Sequence, residues 1–277
     1  LKSMKRAQKK GVEFVLHTAT NYADDRAAVK RAIQAIKNFG SKNWIDHSLA
    51  SGISSSGLKS KGWDKDSEYY VMDIFDKEGY EYAWSYIDDV FEGINQLIPS
   101  AANIHCPILF QNQSLKVGNK PIWQWSTYRP PIKTLFDHVN TETLEQLVKE
   151  RGISILHEYF AHATRQENYM FNKLNNGDVE ISKELEELFN IISKMVKNKL
   201  LWNPTIVEYG DYMRSLEKIR IIQNSGIIII DNCGDEIQDY CLWIGHDPNK
   251  FSIRFHEEGQ EFRRDLNEDY VKYSFKL

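Results

Sequence analysis

"GISILHEYFAHATR", residues 152–165, is the stretch on which the reading of this chain turns. An apolar run, Ile153 to Leu156, delivers His157 and Glu158 at its end, and a second histidine, His162, follows five residues after the first. The helical zinc motif H-E-x-x-H spaces its histidines four apart, about 40° around the helix, so both can face one ion. A gap of five sets them roughly 140° apart. The spacing argues against a metalloprotease-type helix and predicts a strand that ends in a polar loop. Chemistry would then sit at the carboxyl edge of a sheet, as in barrels and open α/β folds.

Working outward, the same unit recurs. Residues 1–10 read as a helix stopped by Gly11, and "VEFVLH" (12–17) reads as a buried strand ending in His17. Val29, Ala32, Ile33, Ile36 and Phe39 then mark an amphipathic helix that ends at Gly40, followed by the strand "NWIDH" (43–47). The Ser- and Gly-rich segment 48–62 is a loop over the sheet edge. "SEYYVMDIFDKEG" (67–79) is helical, and "YEYAW" (80–84) is a strand running into the acidic "SYIDD" (85–89). Residues 93–139 hold five of the seven prolines and the run "PIWQWSTYRPP" (121–131), which suggests an irregular insertion carrying a strand or hairpin. "NTETLEQLVKERG" (140–152) is a helix capped at Asn140 or Thr141, with Leu144, Leu147 and Val148 on one face.

A long helix over 179–199 carries the stripe Leu185, Leu188, Phe189, Ile192, Met195 and Val196. A further helix starts at Asn203, with Pro204 in its first turn. After about residue 216 the period changes. Six short strands, "KIRIIQ", "GIIIIDN", "YCLWIG", "KFSIRF", "QEFRRDL" and "DYVKYSFKL", follow one another with turn residues between them. The expected architecture is α/β over 1–215, a mainly parallel sheet or barrel with helices outside, followed by a small β-sandwich-like domain over 216–277. The carboxyl rim of the first part should gather His17, Asp46 and His47, Asp88 and Asp89, and His157 with Glu158.

Bulk properties narrow the function. The chain of 277 residues is 42% hydrophobic and 12% aromatic, enough for one sizeable core and a smaller unit. With 35 basic against 39 acidic residues the net charge is −4, and no long block of one sign offers a nucleic-acid footprint. Three cysteines fit no metal spacing and indicate a reduced, cytoplasmic-type compartment. No apolar run approaches the roughly 18 residues of a membrane span.

Against this frame the chain resembles the polysaccharide deacetylases, the superfamily that removes N-acetyl groups from chitin, peptidoglycan and chitooligosaccharides. "GVEFVLHTATN" is similar to the family's second motif, with Gly11, Glu13, His17 and Thr18 in place. "GISILHEY" is similar to the fifth motif and puts His157 where the family keeps its catalytic acid; "YEYAWSYIDD" and "LWNPTIVEYGDYM" are looser matches. Asn21 stands where the family has its second metal-binding histidine, and "WIDHS" replaces an arginine–proline motif. The strand that carries the family's paired aspartates should lie before Leu1, so the resemblance implies that N-terminal strands precede this chain.

The resemblance implies a distorted (β/α) barrel and a divalent metal, usually zinc. His17 would be a ligand, with Asn21 as an oxygen ligand and His47 restoring the missing imidazole. His157 would be the general acid, with Asp46 and Glu158 as the carboxylates that complete the catalytic set; Asp46 and His47 are strand neighbours, so only one of them faces the site. Trp44, Trp84, Trp125, Arg129 and Tyr159 would contact a carbohydrate, although the ordinary use of such aromatics is core packing. The implied activity is removal of N-acetyl groups from a sugar or polysaccharide precursor, in surface polysaccharide (lipopolysaccharide) assembly. A metal-free glycosidase on a similar barrel and a carbohydrate-binding relative without catalysis are the alternatives. The β appendage is read as a glycan-binding surface or a homodimer contact.

Overall fold

The computed structural model describes residues 2–20, 24–46, 55–58, 60–85, 109–127, 135–158, 170–173, 179–224, 227–232, 240–245, 252–255, 262–266 and 270–275. The chain divides into two compact units, Leu1–Val207 and Glu208–Leu277.

The first unit opens with helix α1 (Lys2–Gln8), strand β1 (Leu16–His17) and helix α2 (Arg26–Ile36), which runs through a short 3₁₀ turn to Gly40. Gly40 adopts φ +66°, a left-handed end to a helix that glycine accepts without strain. Strand β2 (Asn43–Asp46), helix α3 (Met72–Glu78) and strand β3 (Tyr82–Ser85) follow. The hairpin of β4 (Leu109–Val117) and β5 (Lys120–Trp125) completes a five-stranded sheet of order β1-β2-β3-β5-β4. Strands β1, β2, β3 and β5 are mutually parallel, and only β4 runs antiparallel, at the edge. The architecture is therefore mixed α/β with a mostly parallel sheet; among the described residues it is an open sheet.

Two sequence expectations change here. "VEFVLH" is a strand only at its last two residues, and Val12 is exposed. "PIWQW" belongs to the sheet itself: β5 lies beside β3, with Tyr82 in register with Trp123 and Trp84 with Trp125. Gly118 and Asn119 close the hairpin in two residues, with Gly118 at φ +59°. The alternation Ile122, Trp123, Gln124, Trp125 is buried on both faces, as a strand inside a parallel sheet requires.

One face of the sheet, carrying Trp44, Ala83 and Ile122, packs against α2 and α3 through Val29, Ile33, Met72, Ile74 and Phe75. Trp44 lies 5.1 Å from the ring of Phe75 and 6.2 Å from Tyr80. Arg26 joins the two helix starts by pairing with the Asp73 carboxylate and donating to the Tyr70 carbonyl. Burial, and then the nearby Glu78 charge, push the Tyr80 phenol up to about 12. An unfolded tyrosine ionises near pH 10, so the folded state keeps its proton where the unfolded state has lost it. Stability is whole below about pH 10 and falls by on the order of 2–3 kcal/mol as pH rises towards 12. Urea midpoints at pH 9 and 11.5 should therefore differ, and Tyr80→Phe should flatten the difference.

The described residues of the first unit after the sheet are helices and one hairpin. Helix α4 (Leu135–His138) leads to α5 (Thr141–Lys149), which begins with a capping box: Asn140 accepts the Thr143 N–H while Thr143 accepts the Asn140 N–H. The hairpin of β6 (Phe171–Lys173) and β7 (Val179–Ile181) precedes α6 (Lys183–Lys197), capped by Ser182. The predicted long helix thus starts later than expected, because residues 179–181 pair as a strand. Leu135, Val139, Leu144, Met170, Leu185, Leu188 and Met195 form a second core. Helix α7 (Ile206–Leu216) starts after Pro204, not around it.

The stretch 152–158 also differs from expectation. Arg151, at φ 55°, turns the chain out of α5, and only Leu156 forms a bridge. Ile153 and Leu156 are 39% and 37% exposed. A run becomes a strand only where a neighbour accepts its backbone hydrogen bonds along its length, and the described residues give it a single bridge.

Past Leu216 the second unit contains strands only among its described residues, at all six predicted positions. β8 (Ile219–Asn224), β9 (Ile227–Asn232) and β11 (Ser252–Phe255) form one sheet; β10 (Tyr240–Gly245), β12 (Phe262–Leu266) and β13 (Tyr270–Phe275) form another. The pair β9/β11 is parallel, and the other pairings are antiparallel. No helix among the described residues is long and apolar enough to cross a membrane.

Candidate functional site at the carboxyl rim of the sheet

Because β1, β2, β3 and β5 are parallel, their carboxyl ends share one edge. Register fixes what each strand delivers there. His17 pairs with Ile45, and Trp84 pairs with Ile45 on one side and Trp125 on the other. His17, Ile45, Trp84 and Trp125 therefore form one row on one face, since laterally paired residues point the same way. The ring of His157 lies 5.6 Å from that of Trp84, edge-on at 76°. His17 and Trp84 are two strand spacings apart, about 10 Å between their backbones across the sheet. His157 thus touches the row to which His17 belongs, with His17 exposed and His157 half-buried.

The next row is polar. The Thr18 N–H extends the β1–β2 ladder to the Ile45 carbonyl at 2.9 Å, Asp46 is in register with Ser85, and buried Ser126 follows Trp125. Asp46 lies one residue beyond Ile45, so it points to the opposite face from His17. It is 1% exposed, and its Oδ2 accepts the Leu58 N–H at 2.8 Å. Asp46 anchors the loop after β2, which is a more specific role than the base or ligand expected of it.

That loop is tightly wound. Lys61 N–H donates to Ser55 O, Gly62 N–H to Gly57 O, and Val71 N–H to Gly62 O. A Cβ on Gly62 would sit 2.2 Å from the Ser56 carbonyl oxygen. Gly62→Ala should therefore displace the loop and cost about 1–3 kcal/mol, read as a lower thermal midpoint. A midpoint equal to wild type would contradict this packing.

The tryptophans require a correction. Trp44, Trp84 and Trp125 are 1%, 5% and 6% exposed, and the Trp125 indole donates to Asn43 Oδ1 at 2.9 Å. Rings so enclosed pack the sheet and do not present open platforms to a sugar. Glu158 is half-buried beside His157 in sequence. Asn21, His47, Arg129 and Tyr159, and also Asp88, Asp89 and His162, lie outside the described residues.

Two residues beyond the candidates for catalysis, metal and sugar organise the site. Glu13 accepts the Ser41 hydroxyl at 2.8 Å and the Val207 N–H at 3.3 Å, joining the approaches to β1 and β2 to the start of α7. Asp24, 7% exposed, accepts the Ala19 N–H at 2.8 Å and the Thr20 hydroxyl at 2.6 Å. The doubled aspartate "DD" before α2 was the available signal, since one aspartate suffices to cap a helix.

Among the described residues no group of three or more His, Cys, Asp or Glu side chains is gathered to hold a metal ion. Of the expected ligands only His17 is described, and Asp46 faces away from it. The described donors therefore do not make up a zinc site. Compared with family models, with curated proteins and with solved structures, the chain has no match in any of the three.

Proposed function

We propose that this chain is a hydrolase that removes N-acetyl groups from a sugar or polysaccharide precursor at the carboxyl rim of its parallel sheet. The observation that supports the reading is that His17 lies in one sheet row with Trp84, whose ring is in contact with that of His157. In this reading water adds to the acetamide carbonyl, and the carboxylate of Glu158 takes its proton. The C–N bond then breaks, and His157 donates a proton to the leaving amine, giving free amine and acetate. A divalent metal, zinc by the resemblance, would be held by His17 with His47 and Asn21. Closure of the sheet into a barrel and work on surface polysaccharide belong to the same proposal and rest on the resemblance; a sandwich over 216–277 and a homodimer through it rest on the run of short strands, and a cytoplasmic location on the cysteine usage.

The test is acetate release from a panel of N-acetylated sugars and chitooligosaccharides, with elemental analysis of the purified chain. The expected result is acetate and free amine in equal amounts, and about one zinc per chain that is lost in His17→Ala. New reducing ends without acetate would overturn the reading in favour of a glycosidase. Saturable glycan binding without turnover would overturn it in favour of a binding protein.

A further inference from the structure

The turn that follows His17 is built at a cost the strand alone does not require. Thr18 adopts φ 55°, a left-handed conformation that β-branched residues seldom take and that costs about 1–3 kcal/mol. It persists because its surroundings fix it. The Thr18 N–H holds the Ile45 carbonyl, and its hydroxyl lies 2.7 Å from the carbonyls of both His17 and Thr20. Both oxygens of Asp24 then close the turn: one takes the Ala19 N–H and the other the Thr20 hydroxyl. Asp24 is not needed for the helix that follows, because Asp25 caps α2 by accepting the Ala28 N–H. Its own carbonyl accepts the Ser56 N–H at 2.8 Å, tying the turn to the loop that Asp46 anchors.

We infer that Asp24 is a positioning residue: its buried carboxylate clamps the strained Thr18 turn and thereby fixes where the His17 imidazole stands on the rim. The inference rests on the proposed function only for its kinetic consequence. The structural consequence, a single orientation for His17, does not depend on any activity.

The experiment compares Asp24→Ala, Asp24→Asn and Thr20→Val in the full chain. It reads kcat and KM for acetate release, and the His17 side-chain ¹H–¹⁵N signals without substrate. Asp24→Ala removes both clamps and should lower kcat by about 10–100-fold with KM within about twofold, while the His17 signals broaden or split. Asparagine can still accept from Ala19 and donate to the Thr20 oxygen, so Asp24→Asn should rescue most of kcat and restore a single set of His17 signals. Thr20→Val, which removes one clamp, should fall between and serves if Asp24→Ala does not fold. Unchanged His17 signals in Asp24→Ala, or in Thr20→Val if only that variant folds, would overturn the inference. So would Asp24→Asn falling as far as alanine. If wild type releases no acetate, the functional reading fails while the His17 signals still decide the role of Asp24.

Discussion

His157→Asn should lower kcat for acetate release by about 10²–10⁴-fold, the usual contribution of a positioned general acid, with KM little changed. The expectation follows from placement. His157 follows the bridging residue Leu156, and its ring makes a T-shaped contact with that of Trp84, in the row that also contains His17. Asparagine keeps a polar group of similar reach but cannot carry a proton to an amine. Because His157 is half-buried, a purely packing role would appear as a lower thermal midpoint with turnover nearly intact. Turnover within about threefold of wild type would remove His157 from the mechanism.

Trp44→Ala should destabilise the first unit by about 3–5 kcal/mol, in the range for truncating a large buried aromatic. Trp44 is 1% exposed, stacks obliquely on Phe75, meets Tyr80 edge-on, and sits in the centre of the core between the sheet and helices α2 and α3. Alanine there leaves a cavity that the surrounding strand and helix side chains cannot easily fill. The same substitution separates the two uses considered for this residue. A sugar platform would show a raised KM and an almost unchanged urea midpoint. A core residue shows a lowered midpoint, whereas Trp63→Ala, at a position 47% exposed, should shift it by only a few tenths of a kcal/mol.

Much of the fold was legible because local signals and burial agreed. The spacing of Val29, Ile33 and Phe39 with Gly40 beyond them marked α2 and its end, and Asn140 was read as a cap. The change to short alternating segments after Leu216 located the six strands among the described residues of the second unit. What was not legible depends on partners distant in sequence. The run Ile153–Leu156 has the composition of a strand, but composition does not supply a neighbour to pair with. "PIWQW" lay in a proline-rich stretch and was read as an insertion, although its alternation and the Gly118–Asn119 turn suit the sheet strand it forms.

The site was partly legible for the same reason. That strands ending in His17 and Asp46 are parallel neighbours follows from the helix–strand alternation. That the two side chains point to opposite faces follows from the register, which the sequence does not fix until the strands are paired. The tryptophans showed the opposite failing: as residue types they suit both sugar contacts and cores, and only their burial distinguishes the uses. The partners of Asp24 and Glu13, backbone N–H groups and the hydroxyls of Thr20 and Ser41, follow from the folded turn and not from a residue pattern.

The central claim is that the imidazoles at 17 and 157 serve one pocket. The most direct measurement is an NMR titration of the full chain with a soluble N-acetylated chitooligosaccharide, following the side-chain signals of both histidines. One pocket predicts that both sets of signals move with the same half-saturation. Movement of only one set, or two unequal saturation curves, would contradict it.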